Sequence, residues 1–149
     1  INVDSVDGFA MLINKRNFKD DLYFDENFFL YLENDDLCLR KKKELENIYV
    51  LKTATINHLG GKSPSILFKK EVEYCRNWHW MWSKFYFNKK HYGYIHALLK
   101  TFPTLISSII KFVYYFLSVN RYKKKIYKMR FLGLVNAMMG RKSWYRPKI

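Results

Sequence analysis

Residues 24–40 read FDENFFLYLENDDLCLR. Five carboxylates fall in this run, Asp25, Glu26, Glu33, Asp35 and Asp36, set among Phe24, Phe28, Phe29 and Tyr31. Acids this close share a field, so at least one is expected to have a displaced pKa, which suits a general base. Asn34 is placed to cap a helix, with Asp35 and Asp36 in the first turn, where the helix dipole favours negative charge. That helix runs to about Leu45. Leu37 and Leu45 face the core with Cys38 nearby, and Arg40 to Lys43 form its basic end. Asp36 and Arg40 stand four apart, the spacing of an ion pair along one helix face.

Working outward, Val6 to Ile13 (VDGFAMLI) reads as a buried strand, with Gly8 at a close backbone approach. Asn14 to Asp20 is a polar turn. Leu22 to Tyr31 reads as a loop and short helical turn that presents Phe28, Phe29 and Tyr31 inward. Beyond the acidic run, Ile48 to Leu51 and Ala54 to Asn57 read as strand pieces, and His58-Leu-Gly-Gly-Lys-Ser closes the sheet with a turn.

From Pro64 the character changes. Glu71 to about Asn88 is expected to be a helix, because Tyr74, Trp78, Trp82 and Phe85 recur at helical spacing. Gly93 breaks it. Over Tyr94 to Val119, Lys100, Thr104, Ser107, Lys111, Tyr115 and Ser118 form a polar stripe. Phe102, Leu105, Ile106, Ile109, Val113, Phe116 and Leu117 form an apolar face. Pro103 either opens this helix or kinks it. A basic block, Arg121 to Arg130, holds six Lys or Arg in ten residues, and Phe131 to Met139 is a short apolar segment. The tail from Arg141 is expected to be loose.

Charge divides the chain. Residues 1–60 carry 11 acids and 8 bases; residues 61–149 carry 2 acids and 19 bases, a net +17. No acid follows Glu73. Such a half seeks a polyanion: lipid headgroups, a phosphate-bearing substrate or nucleic acid. Thr101 to Val119 approaches the roughly 20 residues needed to cross a bilayer, but Lys111 at its middle costs about 2.5–3.5 kcal/mol there. The polar stripe favours a helix lying in the interface, with the basic block on anionic headgroups.

Cys38 and Cys75 make no disulfide framework and no CxxC, which points to a reducing compartment rather than to zinc. Asp4 and Asp7 interrupt any secretory apolar run. The first residue is Ile1, and the chain opens in a strand-like run, as a fragment or processed product would.

FDENFFLYLENDDLCLR, preceded by VDGFAMLINKRNF and followed by IYVLKTATINHLGGKS, resembles the acceptor-side half of a family 2 glycosyltransferase of the rhamnosyltransferase-like kind. The resemblance covers about residues 5–90. It implies an α/β architecture, the C-terminal part of a GT-A nucleotide-sugar transferase fold over residues 1–92. Residues 93–149 would then be a basic, amphipathic, membrane-associating tail. It also implies inverting transfer of a rhamnose-like or other hexose from a nucleotide-sugar donor to a lipid-linked or polysaccharide acceptor. The work would be done at the cytoplasmic face of the membrane, in cell-surface glycan synthesis. A carboxylate deprotonates the acceptor hydroxyl, which displaces the nucleoside diphosphate in line.

In many relatives the base is an Asp that aligns with Asn34. An amide takes no proton at neutral pH, so the role passes to Glu33 or Asp36, with Asp35 a third candidate. Asp25, Glu26 and Trp78 are the acceptor-binding candidates. The resemblance implies a divalent cation, Mn²⁺ or Mg²⁺, with His58 as the ligand from this half. The DxD motif expected for the donor side does not occur in this chain. His79, His91 and His96 read as structural. Two other classes stay open. One is a non-catalytic membrane-docking protein that has lost the base. The other is a basic nucleic-acid-binding module, which the apolar helix disfavours.

Overall fold

A computed structural model of the chain describes residues 1–18, 23–58 and 66–147. Among the described residues, two short strands and four α-helices follow in order: β1 (Asn2–Val3), α1 (Glu33–Lys43), β2 (Ile48–Tyr49), α2 (Lys69–Tyr92), α3 (Tyr94–Leu117) and α4 (Arg121–Met138). Short 3-10 turns occupy Lys15–Asn17 and Ile66–Phe68.

The architecture corrects the expected α/β GT-A sheet. Among the described residues 60% are helical and 3% lie in strands. The strands pair only with each other, antiparallel, with Asn2 opposite Tyr49 and Val3 opposite Ile48. A larger sheet needs neighbours for its backbone groups and a layer to cover its apolar face. Neither is available along 6–13 or 50–57: Leu12 is 97% exposed, and Leu51 and Ile56 are exposed as well. Val6 to Ile13 is an irregular strap laid across the start of α1. Its Val6 carbonyl accepts from Asn34 Nδ2 at 2.7 Å, and a Cβ at Gly8 would lie 3.4 Å from Asn34 Cβ. The turn expected at 58–63 lies mostly outside the described residues.

The core belongs to the helices. Along α2, Tyr74, Trp78, Met81, Trp82 and Phe85 form one buried stripe, and Ala97 of α3 and Met129, Leu134 and Ala137 of α4 close on it. Gly93 alone links α2 to α3, at φ +90°, in the left-handed region that glycine enters without strain. At the other link Asn120 Oδ1 accepts from Lys123 N at 3.0 Å and caps α4. Thus α4 runs beside α2 in the same sense. Tyr122 donates to Glu73 Oε2 (2.5 Å) and Lys125 pairs with Glu71 (2.9 Å), both at the N-terminal ends.

The C-terminal tail is tied down, contrary to the loose tail expected. Trp82 Nε1 donates to the Arg141 carbonyl (2.9 Å), Ser143 Oγ to the Asn27 carbonyl (2.7 Å) and Trp144 Nε1 to Asn136 Oδ1 (3.0 Å). The Arg146 guanidinium stacks 3.6 Å from the Phe29 ring centre. These contacts use main-chain carbonyls and indole N–H groups, which a charge count does not reveal.

His79 belongs to the same seam. Its Nε2 lies 2.7 Å from the Tyr145 carbonyl, which only a protonated Nε2 can use as a partner. Nδ1 is buried without a hydrogen bond. Burial is the main reason its pKa falls to about 4, against the pull of the Tyr145 carbonyl. The neutral ring therefore stabilises the fold fully above the unfolded value of 6.5. That stability is lost as pH falls from there towards 4, by up to about 3 kcal/mol. His91, whose pKa burial also lowers, acts in the same direction. Urea unfolding of H79Q is expected to vary less between pH 7.5 and 4.5 than that of the parent. Equal pH dependence in both would remove His79 as a cause.

Candidate functional site

Helix α1 starts earlier than the sequence implied. Its first residue is Glu33, its N-cap is Leu32, and Asn34 is the second residue rather than the cap. Tyr31 and Leu32 both adopt positive φ, +69° and +68°. Two consecutive non-glycine residues in the left-handed region store about 1–3 kcal/mol each, and such strain concentrates at working sites. The strained pair presents Glu33, Asn34 and Asp35 at the helix start.

The strap from Ser5 to Phe9 joins these residues to His58. Ser5 Oγ donates to Asp35 Oδ1. Val6 and Gly8 bear on Asn34. Phe9 stacks on the His58 ring, with centroids 4.6 Å apart and planes 16° from parallel. Glu33 differs from its neighbours: its Oε2 is enclosed and has no hydrogen-bond partner. A buried carboxylate oxygen left unmatched is costly, and in a native fold it asks for an explanation.

Asp36 and Asp25 are used elsewhere. Asp36 is fully buried and accepts from Arg40 Nε at 3.0 Å, so the pairing expected along the helix face is present. The end of α2 adds Lys90 Nζ at 2.7 Å and His91 Nε2 at 2.8 Å. With Lys43 Nζ 3.3 Å from His91 Nδ1 and donating to it, the ring proton on Nε2 is left for Asp36. Asp25 accepts from the same Lys90 (2.7 Å), from Tyr86 OH (2.9 Å) and from Asn27 N and Nδ2 (3.0 and 2.8 Å). Burial works to raise its pKa, but these donors together hold it down at about 2. Asp25 is thus displaced away from a base's range. The Asp25–Lys90–Asp36 chain fastens α1 and the loop before it to α2.

Glu26 is exposed. Trp78 lies in the core at 1% exposure. Two indoles reach the surface: Trp144 in the tail, and Trp80, which lies off the buried stripe and is 41% exposed. With Tyr31, Arg76 and Asn77 it lines an open cleft of about 200 Å³. Tyr31 meets Trp80 edge-on at 5.4 Å, and its hydroxyl accepts from Arg76 Nε at 2.9 Å. Tyr31 precedes Glu33 by two residues, so the aromatic cleft borders the acidic helix start. Sequence reading missed this cleft. Its signal was that Trp80 falls outside the 74–78–82–85 spacing.

Among the described residues, no three of His, Cys, Asp and Glu converge in a way that would hold a metal ion. His58 is stacked on Phe9, and no carboxylate pairs with it among the described residues.

No family model, no curated protein and no solved structure matches this chain.

Proposed function

We propose that this chain carries the acceptor side of a sugar transferase, with Glu33 as the base. The observation that carries the reading is the enclosed, unmatched Glu33 Oε2 at a strained helix start. Glu33 takes the proton of an acceptor hydroxyl. The hydroxyl oxygen forms a bond to the anomeric carbon of a nucleotide sugar, and the bond from that carbon to the diphosphate oxygen breaks. The nucleoside diphosphate leaves with the electron pair. The Trp80 and Tyr31 rings offer apolar surface to the acceptor's sugar ring, and Arg76 offers donors to its hydroxyls. Asp35, held by Ser5, helps to fix the helix start. The acceptor class is a lipid-linked saccharide or growing glycan.

The test uses the protein expressed from its own gene, labelled nucleotide sugars and a polyprenyl-linked saccharide acceptor. E33Q keeps the shape and removes the base. It is expected to lower transfer by about 10²–10⁴-fold while leaving the circular dichroism and unfolding curve unchanged. Transfer by a folded E33Q at the parent rate would overturn the assignment.

A further inference from the structure

Helix α3 is built inside out for a protein surrounded by water. Its inward side carries Ala97, Thr101 and Ser108, each at most 2% exposed. Thr101 Oγ1 and Ser108 Oγ donate to the carbonyls four residues back, both at 2.7 Å, so this small polar side packs without open hydrogen-bonding demand. Lys84 of α2 reaches Thr104 Oγ1 (3.4 Å), and Tyr115 stacks on Tyr127 of α4 (5.5 Å). Leu99, Phe102, Ile106, Ile110, Val113 and Leu117 recur at helical spacing on the opposite side, and each is 40–74% exposed. An aliphatic face of this extent marks a contact surface.

We propose that this face of α3 inserts into the surface of an anionic bilayer, with the helix lying in the membrane plane. Charge decides the occupant. From residue 74 to the end there are 16 Lys and Arg and no acid. Arg121, Lys123 and Lys128 of α4 are exposed, as are Lys100 and Lys111 of α3 itself. Anionic headgroups complement that array. A second copy would bring the same charge to the same contact, and five of the six residues of this face are aliphatic, with Phe102 the one ring among them, so nucleic-acid bases find little to stack on. Tyr92, Tyr94 and Tyr114 stand exposed near the two ends of the helix, where amphipathic rings suit the headgroup level.

α3 is long and apolar enough to cross a membrane. Its inward side is nonetheless committed to α2 and α4, and crossing would drag the cations of α4 into hydrocarbon. An in-plane helix satisfies both faces at once. This inference does not depend on Glu33 or on sugar transfer, although it would place the acceptor cleft beside the bilayer that holds a lipid-linked acceptor.

The test is flotation of the full chain with large vesicles of phosphatidylcholine alone or with about one-third phosphatidylglycerol. Expected are binding to the anionic vesicles more than tenfold tighter than to the neutral ones, and release by alkaline carbonate. The double variant I106E/I110E should lose at least tenfold while its helical circular dichroism is unchanged. E33Q should bind like the parent, which separates this outcome from that of the catalytic reading. Any of four results would overturn the proposal. These are no preference for anionic vesicles, undiminished binding by I106E/I110E, retention through the carbonate wash, and sedimentation as a dimer that the double variant dissolves. Should I106E/I110E misfold, L99E alone, at one exposed end of the face, is expected to weaken binding several-fold; unchanged binding there counts against the face.

Discussion

Gly133→Ala is expected to lower the melting temperature by roughly 5 to 10 °C, although alanine is the better helix former. A Cβ at residue 133 would lie 2.2 Å from the Trp78 carbonyl oxygen and 3.0 Å from its carbon. Those atoms are backbone of α2, so no rotamer change relieves the clash, and α4 must move away by about an ångström to restore ordinary contact. The move opens the layer where Leu134 and Ala137 meet the Trp78 stripe, and it stretches the bond from Trp82 Nε1 to Arg141. Overpacking typically costs about 1–3 kcal/mol, and a clash with backbone falls at the upper end of that range, against a propensity gain of about 1 kcal/mol, so the clash wins. Thermal unfolding followed by circular dichroism checks it, with exposed Lys128→Ala as the control expected to stay within a degree or two. A G133A protein as stable as the parent would mean that α2 and α4 do not cross at this glycine.

That crossing was not legible in the sequence, whereas the helices themselves were. The spacing of Tyr74, Trp78, Trp82 and Phe85 and the break at Gly93 are local properties, written in one stretch of chain, and α2 and α3 follow them. A glycine in a basic, apolar run looks like a weakness in the helix until the partner helix is known. The same limit explains the strands. Val6 to Ile13 has strand-like composition, but a strand exists only where another is available to pair with it, and composition cannot report the neighbour. The polar and apolar sides of α3 were legible as a period. Which side meets protein was not, because it depends on what α2 and α4 present.

The acidic run shows the same division. Its crowding and the Asp36–Arg40 pairing could be anticipated from spacing and order. The long-range partners could not: Lys90 and His91 stand more than fifty residues from Asp36 and carry no mark that sets them apart from other basic residues. Without them, Asp36 and Glu33 are equivalent candidates. With them, one is a fastening and the other has an oxygen to spare. Asn34 likewise reads as a cap by residue type, but its amide is taken by the Val6 carbonyl, which only the folded strap brings near.

Asp36→Ala should therefore damage the fold rather than the chemistry alone. The carboxylate is fully buried, and its removal leaves Arg40, Lys90 and His91 facing one another at the α1–α2 seam. Breaking a buried pair from one side typically costs about 3–5 kcal/mol. Arg40 and Lys90 are each a little over a quarter exposed, and Lys90 keeps Asp25, so the lower end, about 3 kcal/mol, is expected here. The loss should fall unevenly. The cluster that joins α2, α3 and α4 does not include Asp36, so those helices should keep their protection from hydrogen exchange, while residues 33–43 lose theirs. Replacing Lys90 by Met in the same chain removes one of the stranded cations and should recover part of the stability, a coupling that a double-mutant cycle reads directly. If the chain transfers sugar as proposed, transfer would fall in D36A together with the unfolding midpoint, whereas in E33Q it would fall alone. Wild-type stability in D36A, or loss of transfer with α1 fully protected, would return Asp36 to the catalytic candidates.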